Sequence, residues 1–231
     1  AMGALFERII PQAQLRFLTS SCLADHSLFK GLVGLPDCFY GPARVVSLFG
    51  QGEKSYELKI DDTPCVETWR KGRGLLEFLR EPGGVPFFFP EEGAGPDHAS
   101  YLRIGDERWL AILQAKCRKK VPNKAHALGS LNIRTMYRGV KEGKREEKRR
   151  ELTSLLKQRG VKGILRILLA YPAEVNAASY TLSTLRQSER QRLQAEEGNE
   201  FEVVQLCISK SNAEHFLTAN ERRHLDCLKD V

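Results

Sequence analysis

The segment from Gly95 to Lys116, GPDHASYLRIGDERWLAILQAK, leaves the chain little choice of local structure. Two largely apolar runs flank Gly105-Asp106, a pair suited to a two-residue turn because glycine takes the positive φ that such a turn needs. A turn there sets Ile104 opposite Glu107, and one-to-one antiparallel pairing then sets Asp97 opposite Gln114. Gln114 and Lys116 are two residues apart, so they share a strand face, and Lys116 becomes the diagonal neighbour of Asp97. A slip of one residue would move Asp97 to the other face. The hairpin from His98 to Lys116 therefore predicts a carboxylate, an amide and an ammonium on one patch at its open end. His98 adjoins Asp97 in sequence but points the opposite way on an alternating strand, so it is not expected among them.

A carboxylate and an amide oxygen are hard ligands of the kind Mg²⁺ or Mn²⁺ accepts alongside water, and the carbonyl of Ala115 offers a third. A metal so held polarises a phosphodiester and acidifies a bound water, and a neighbouring lysine stabilises charge growing on the phosphoryl oxygens. The same residues also have a plain structural reading, in which Asp97 caps a turn, Gln114 is a satisfied buried amide and Lys116 is the strand's exit to solvent.

Pro96-Asp97, a hairpin, then Gln114-Ala115-Lys116 resembles the PD-(D/E)XK signature of the restriction-endonuclease-like superfamily, with Gln114 standing where an acid is usual. The stretches PFFFPEEGAGPD and GILRILLAYPAEV are similar to the C-terminal nuclease modules of Crinkler-type proteins of fungi and oomycetes. The resemblance implies an α/β fold, a mixed sheet flanked by helices, and a metal-dependent endonuclease acting on DNA ahead of RNA. It implies Asp97, Gln114 and Lys116 as catalytic residues, and Mg²⁺ or Mn²⁺ on Asp97, Gln114 and Ala115. In that superfamily the first helix often adds an acid to the metal, and Glu77 and Glu67 precede the Phe-rich strand on a predicted helix. For an effector module the resemblance implies work in a nucleus, with host nuclear proteins as a further class of partner. The alternative is a module that keeps the fold and binds nucleic acid, or a host protein, through its basic region without catalysis.

The net charge of +7 is unevenly placed. Between Cys117 and Arg166 the chain has 16 Lys/Arg against 4 Asp/Glu, and elsewhere the acids are in excess. A basic stretch just downstream of the candidate site suits a polyanion. Arg118, Lys119, Lys120, Arg145, Lys148, Arg149 and Arg150 are the candidate phosphate-binding residues. No base-reading motif accompanies them.

No apolar run reaches the 18 residues of a membrane span. The opening AMGALFERII has neither the charged start nor the unbroken apolar core of a secretory leader. Six cysteines with no CxxC spacing argue against structural zinc and against a disulfide framework, and suggest an intracellular working place.

Residues 1–60 are expected to form an N-terminal helical and strand extension, and 61–231 the nuclease-like domain with its basic segment 117–166. Two short helices are predicted before Gly34, broken at Pro11, followed by a strand at SYELKID. A helix is predicted over TPCVETWRKGRGLLEFLREPG, with Thr63 as N-cap and Pro64 in the first turn. VPFFFP reads as a short buried strand. A surface helix is predicted from Lys144 to Arg159, closed by Gly160. GILRILLAY follows as a central strand, ASYTLSTLRQSERQRLQAEEG as a helix, FEVVQLCIS as a strand, and NAEHFLTANERRHLDCLKD as a closing helix.

Overall fold

In the computed structural model, Gly105 sits at φ 53° and turns the chain between β5 (His98–Ile104) and β6 (Glu107–Ala115). Ile104 pairs with Glu107 and His98 with Leu113, the register that the turn predicts. The structure describes residues 2–30, 32, 34–50, 52–57, 65–69, 72–116, 123–176 and 201–227, with the side chains of 2–8 and 227 excepted. The predicted helix after Ala177 lies outside them.

The hairpin is the middle of one mixed eight-stranded sheet. On one side β6 pairs in parallel with β7 (Val161–Ala170), and β7 with β8 (Glu202–Ser209). On the other side two strands divide the edge of β5. β4 (Phe87–Phe89) takes its first half, and β1 (Ala43–Phe49) its second, both antiparallel. β2 (Gly52–Ser55) extends β1, and β3 (Val66–Thr68) runs parallel to β4. β7 is nearly continuously apolar because helices cover both faces of the sheet.

One face packs under α1 (Met2–Leu18), the irregular turns up to Tyr40, and α5 (Ala219–Cys227). Phe17, Phe29, Phe39, Trp109 and Phe216 make its aromatic centre through stacked and edge-on contacts. The other face packs under α2 (Leu75–Arg80), α3 (Lys124–Gly129) and α4 (Glu142–Gln158). There Phe78 stacks on Phe88, and Leu152, Leu155 and Leu156 are the buried stripe of α4.

The sheet departs from the sequence reading in several places. The helix predicted from Thr63 is shorter: Val66–Thr68 form β3, and only Leu75–Arg80 are helical. Val66 and Thr68 are β-branched, and pairing beside β4 satisfies their backbone. Gly72, at φ 83°, and Gly74, at the cap, separate strand from helix. β1 was not anticipated, and with β2 it joins residues 43–55 to the same sheet as the hairpin. α1 runs through Pro11 instead of breaking there, and the helix expected at HSLFKGLVGL is absent from the described residues of that stretch. The closing segment is a short turn of 3₁₀ helix at Ala213–His215 and then α5.

Candidate active site at the open end of the hairpin

β6, β7 and β8 run in parallel and end together at Ala115, Ala170 and Ser209. β5 runs against them, so Asp97, just before its first residue, stands at that same end. In open α/β sheets this carboxyl edge is where ligands bind.

β6 continues two residues past the pairing of Leu113 with His98. Its next outward donor would have no partner on β5, and Asp97 supplies one. The Asp97 N–H donates to the Leu113 carbonyl at 2.8 Å, which fixes the backbone. Its Oδ2 accepts the Ala115 N–H at 2.7 Å and also the Gln114 side-chain amide, through Nε2. Oδ1 accepts no hydrogen bond among the described residues. In an extended strand the N–H and C=O of one residue leave on the same edge, so the Ala115 carbonyl also faces the Asp97 side. On the other edge the Lys116 N–H donates to the Leu169 carbonyl at 2.7 Å, which extends the parallel ladder and holds Lys116 in register.

Asp97 is exposed, Gln114 is 3% exposed and Lys116 is half-buried. Crowding by the sheet end pushes the Asp97 pKa up, while the Ala115 N–H, the Lys116 charge and the Gln114 amide pull it down. The net direction is upward. Protein atoms are dense around the carboxyl, yet water reaches it, and water that reaches an oxygen solvates it.

The structure thus brings Asp97, Gln114, Ala115 and Lys116 together. It uses Glu77 differently. That carboxylate accepts the Gly74 N–H at 2.9 Å, capping its own helix, and lies 3.8 Å from Arg80. Glu91 completes the same helix start by accepting the Leu75 N–H at 2.8 Å. Glu67 lies on β3, not on a helix, with Arg73 at 2.5 Å. Through the register of β3, β4 and β5 it stands across from Phe88 and Ala99, on the sheet face that also bears Asp97.

Of the basic candidates, Arg118, Lys119 and Lys120 lie outside the described residues. Arg150 is exposed on α4, and the Lys148 ammonium sits 4.7 Å from the centre of the Tyr137 ring. Arg145 and Arg149 donate to backbone carbonyls of the loop before α4.

Two residues of the site face were not anticipated. Arg166 on β7 and Gln205 on β8 are paired in register, both nearly fully buried, and they stand one row beneath Gln114 and Leu168. The signal for them was a polar residue interrupting each of two apolar strands, ILRILLA and VVQLCIS.

Among the described residues no three His, Cys, Asp or Glu side chains group as a metal site. A metal here would rest on Asp97 Oδ1 with the Ala115 backbone oxygen, a set that suits a hard cation keeping several waters. The free Oδ1 and the direction of the Ala115 carbonyl fit such an ion. The Gln114 amide, turned nitrogen-first toward Asp97, adds nothing to it in this arrangement. Family models, curated proteins and solved structures include none that matches this chain.

Proposed function

We propose that the chain is a metal-dependent phosphodiesterase, an endonuclease acting on DNA, with its site at Asp97, Gln114, Ala115 and Lys116. The observation that supports this reading best is the convergence of those residues at the carboxyl edge of the parallel strands. Asp97 and the Ala115 carbonyl would hold a Mg²⁺ or Mn²⁺ ion. The ion supplies a polarised phosphoryl oxygen and an acidified water. Asp97 is oriented by the Ala115 N–H and the Gln114 amide, and both bonds favour its charged form. Lys116, fixed by its backbone bond to Leu169, places a positive charge beside the carboxylate, where it stabilises negative charge developing on a phosphoryl oxygen. The positive surplus between Cys117 and Arg166 suits a polyanionic substrate.

A second reading is favoured by one specific feature. Gln114 satisfies an Asp97 oxygen by a hydrogen bond, a task that an acid at that position would leave to a metal. A module that binds nucleic acid through its basic face and has lost cleavage would look the same. Incubation of supercoiled plasmid and single-stranded DNA with Mg²⁺, with Mn²⁺ and with EDTA separates the two. Metal-dependent nicking is the expected result. Salt-sensitive binding with no cleavage under either metal would transfer the assignment to the binding module.

A further inference from the structure

The loop between α3 and α4 gathers three arginines. The Arg138 Nε donates to the Thr135 carbonyl at 3.3 Å, and its guanidinium lies against Gly129, where a side chain would collide with it. The Arg145 Nη2 donates to the Arg138 carbonyl at 3.2 Å and to the Val140 carbonyl at 3.0 Å. The Arg149 Nε donates to the Met136 carbonyl at 3.0 Å. Each guanidinium has five N–H groups, so all three keep donors beyond these anchors. Their charges are within reach of one another: burial first, then Arg145 and Arg138, hold the Arg149 pKa below its ordinary value, against an upward pull from Glu146. Glu146 is a weak counter-charge, 61% exposed and 3.9 Å from Arg149. Like charges fixed together by neutral carbonyls, with one loose carboxylate, make a site for an anion.

This loop also packs on the segment that leads into Asp97. The Tyr137 N–H donates to the Ala94 carbonyl at 3.1 Å. Gly95, at φ 133°, lies so close to Met136 and the Ser130 carbonyl that a Cβ would sit 2.7 Å from each. Three residues of chain span at most about 11 Å, so the arginines stand within roughly 20 Å of Asp97. At the ~3.4 Å rise of a nucleic-acid strand that is no more than about six nucleotides.

We propose that Arg138, Arg145 and Arg149 form a clamp for a backbone phosphate of a nucleic-acid strand, a few nucleotides from the bond at Asp97. The clamp rests on the nucleic-acid reading of the site, extends it to a polymeric substrate and adds Arg138, which the charge pattern alone did not single out. Phosphate is favoured over peptide carboxylates because guanidiniums meet its oxygens in forks, and three of them suit its several oxygens.

Arg138 gives the cleanest test, because it is exposed and its one backbone bond is long. Binding of a fluorescent single-stranded 20-mer is measured in EDTA, across a salt series, for wild type, Arg138→Gln, Arg138→Lys and Arg149→Lys, with thermal melting to confirm folding. Arg138→Gln is expected to weaken binding several-fold at low salt, for any sequence, and to reduce the slope of log affinity against log salt by about one. Arg138→Lys should keep the slope and lose part of the affinity. Unchanged affinity and slope in Arg138→Gln would overturn the clamp and leave the cleavage site untouched. Wild type that holds polyglutamate as tightly as DNA would also overturn it, in favour of an acidic protein partner, as would wild type that binds no nucleic acid. A clamp that behaves as expected in a protein that never cleaves would leave the clamp standing and remove the nuclease reading.

Discussion

Gln114 turns the nitrogen of its amide toward Asp97, and the carboxylate oxygen that receives it also receives the Ala115 N–H. An acid in place of Gln114 would set oxygen against oxygen and would need a cation between them. Gln114→Glu is therefore expected to lose a hydrogen bond and gain a repulsion in metal-free buffer, at a cost of about 1–3 kcal/mol. For a chain of this size that lowers Tm by roughly 2–12 °C. Mg²⁺ should restore much of the loss in the variant and shift the wild type far less. Melting curves with EDTA and with millimolar Mg²⁺ measure both effects. Equal responses of variant and wild type to Mg²⁺ would show that no ion binds at this position.

Asp97 and Lys116 differ in what their removal leaves behind. Asp97→Ala abolishes the proposed metal ligand and also strands two donors, the Gln114 amide and the Ala115 N–H, so it should be less stable as well as inactive. Lys116→Ala leaves the backbone bond to Leu169 in place and removes only the charge. It should cut metal-dependent cleavage by roughly 10²–10³-fold, the usual loss for one electrostatic donor, with nearly unchanged Tm and DNA binding. Cleavage rates beside binding isotherms decide the matter, and a Lys116→Ala variant that cleaves at the wild-type rate would remove the lysine from the proposed site.

The hairpin was legible because period-two alternation and a glycine turn act over a few residues, and those determine the register that sets Asp97 beside Gln114. The leucine stripe of α4 and the apolar runs of β7 and β8 were legible for the same local reason. β3 was not, because Val66–Thr68 form a strand only where β4 lies beside them, while the charged and leucine-rich sequence around them has helical spacing. Nor was α1 expected to continue through Pro11. At the site, the identities of the residues were readable but the direction of the Gln114 amide was not, since it depends on Ala115 already holding the same oxygen. Arg138 escaped notice because its neighbours Arg145 and Arg149 reach it only when the loop folds back against α4.

His98, directly after Asp97, is fully buried on the opposite face, between the Phe87 and Phe89 rings at 5.5 and 5.0 Å. Among the described residues neither ring nitrogen has a hydrogen-bond partner. Burial lowers its pKa to about 3, against 6.5 for an unperturbed histidine. Between those values the unfolded chain binds a proton that the folded protein excludes. Its contribution to stability is therefore fully present above about pH 6.5 and is lost progressively as pH falls toward 3. The slope approaches about 1.4 kcal/mol per pH unit in that window. Urea unfolding of His98→Phe at pH 7, 5.5 and 4.5 should show a shallower acid loss than wild type. Parallel curves for the two proteins would mean that His98 takes up its proton while folded.

Gly95 is the point where the path to Asp97 and the arginine loop press together. Its φ of 133° lies in a region that side chains rarely adopt, and a Cβ would meet the Ser130 carbonyl at 2.7 Å. The Ser130 contact is with backbone, so a methyl group cannot be absorbed by a rotamer change. Gly95→Ala must either strain both loops or part them, which is expected to cost about 1–3 kcal/mol. Parting them moves Asp97 relative to the Gln114 amide and the arginines relative to Asp97, without altering any charge. Cleavage should then fall by ten-fold or more, since catalytic groups tolerate little displacement. The salt dependence of DNA binding should remain that of wild type, because every charge of the proposed clamp is retained. Measured together, a normal salt slope with depressed cleavage identifies misplacement. A normal cleavage rate in folded Gly95→Ala would show that the two loops do not need this contact to hold the site.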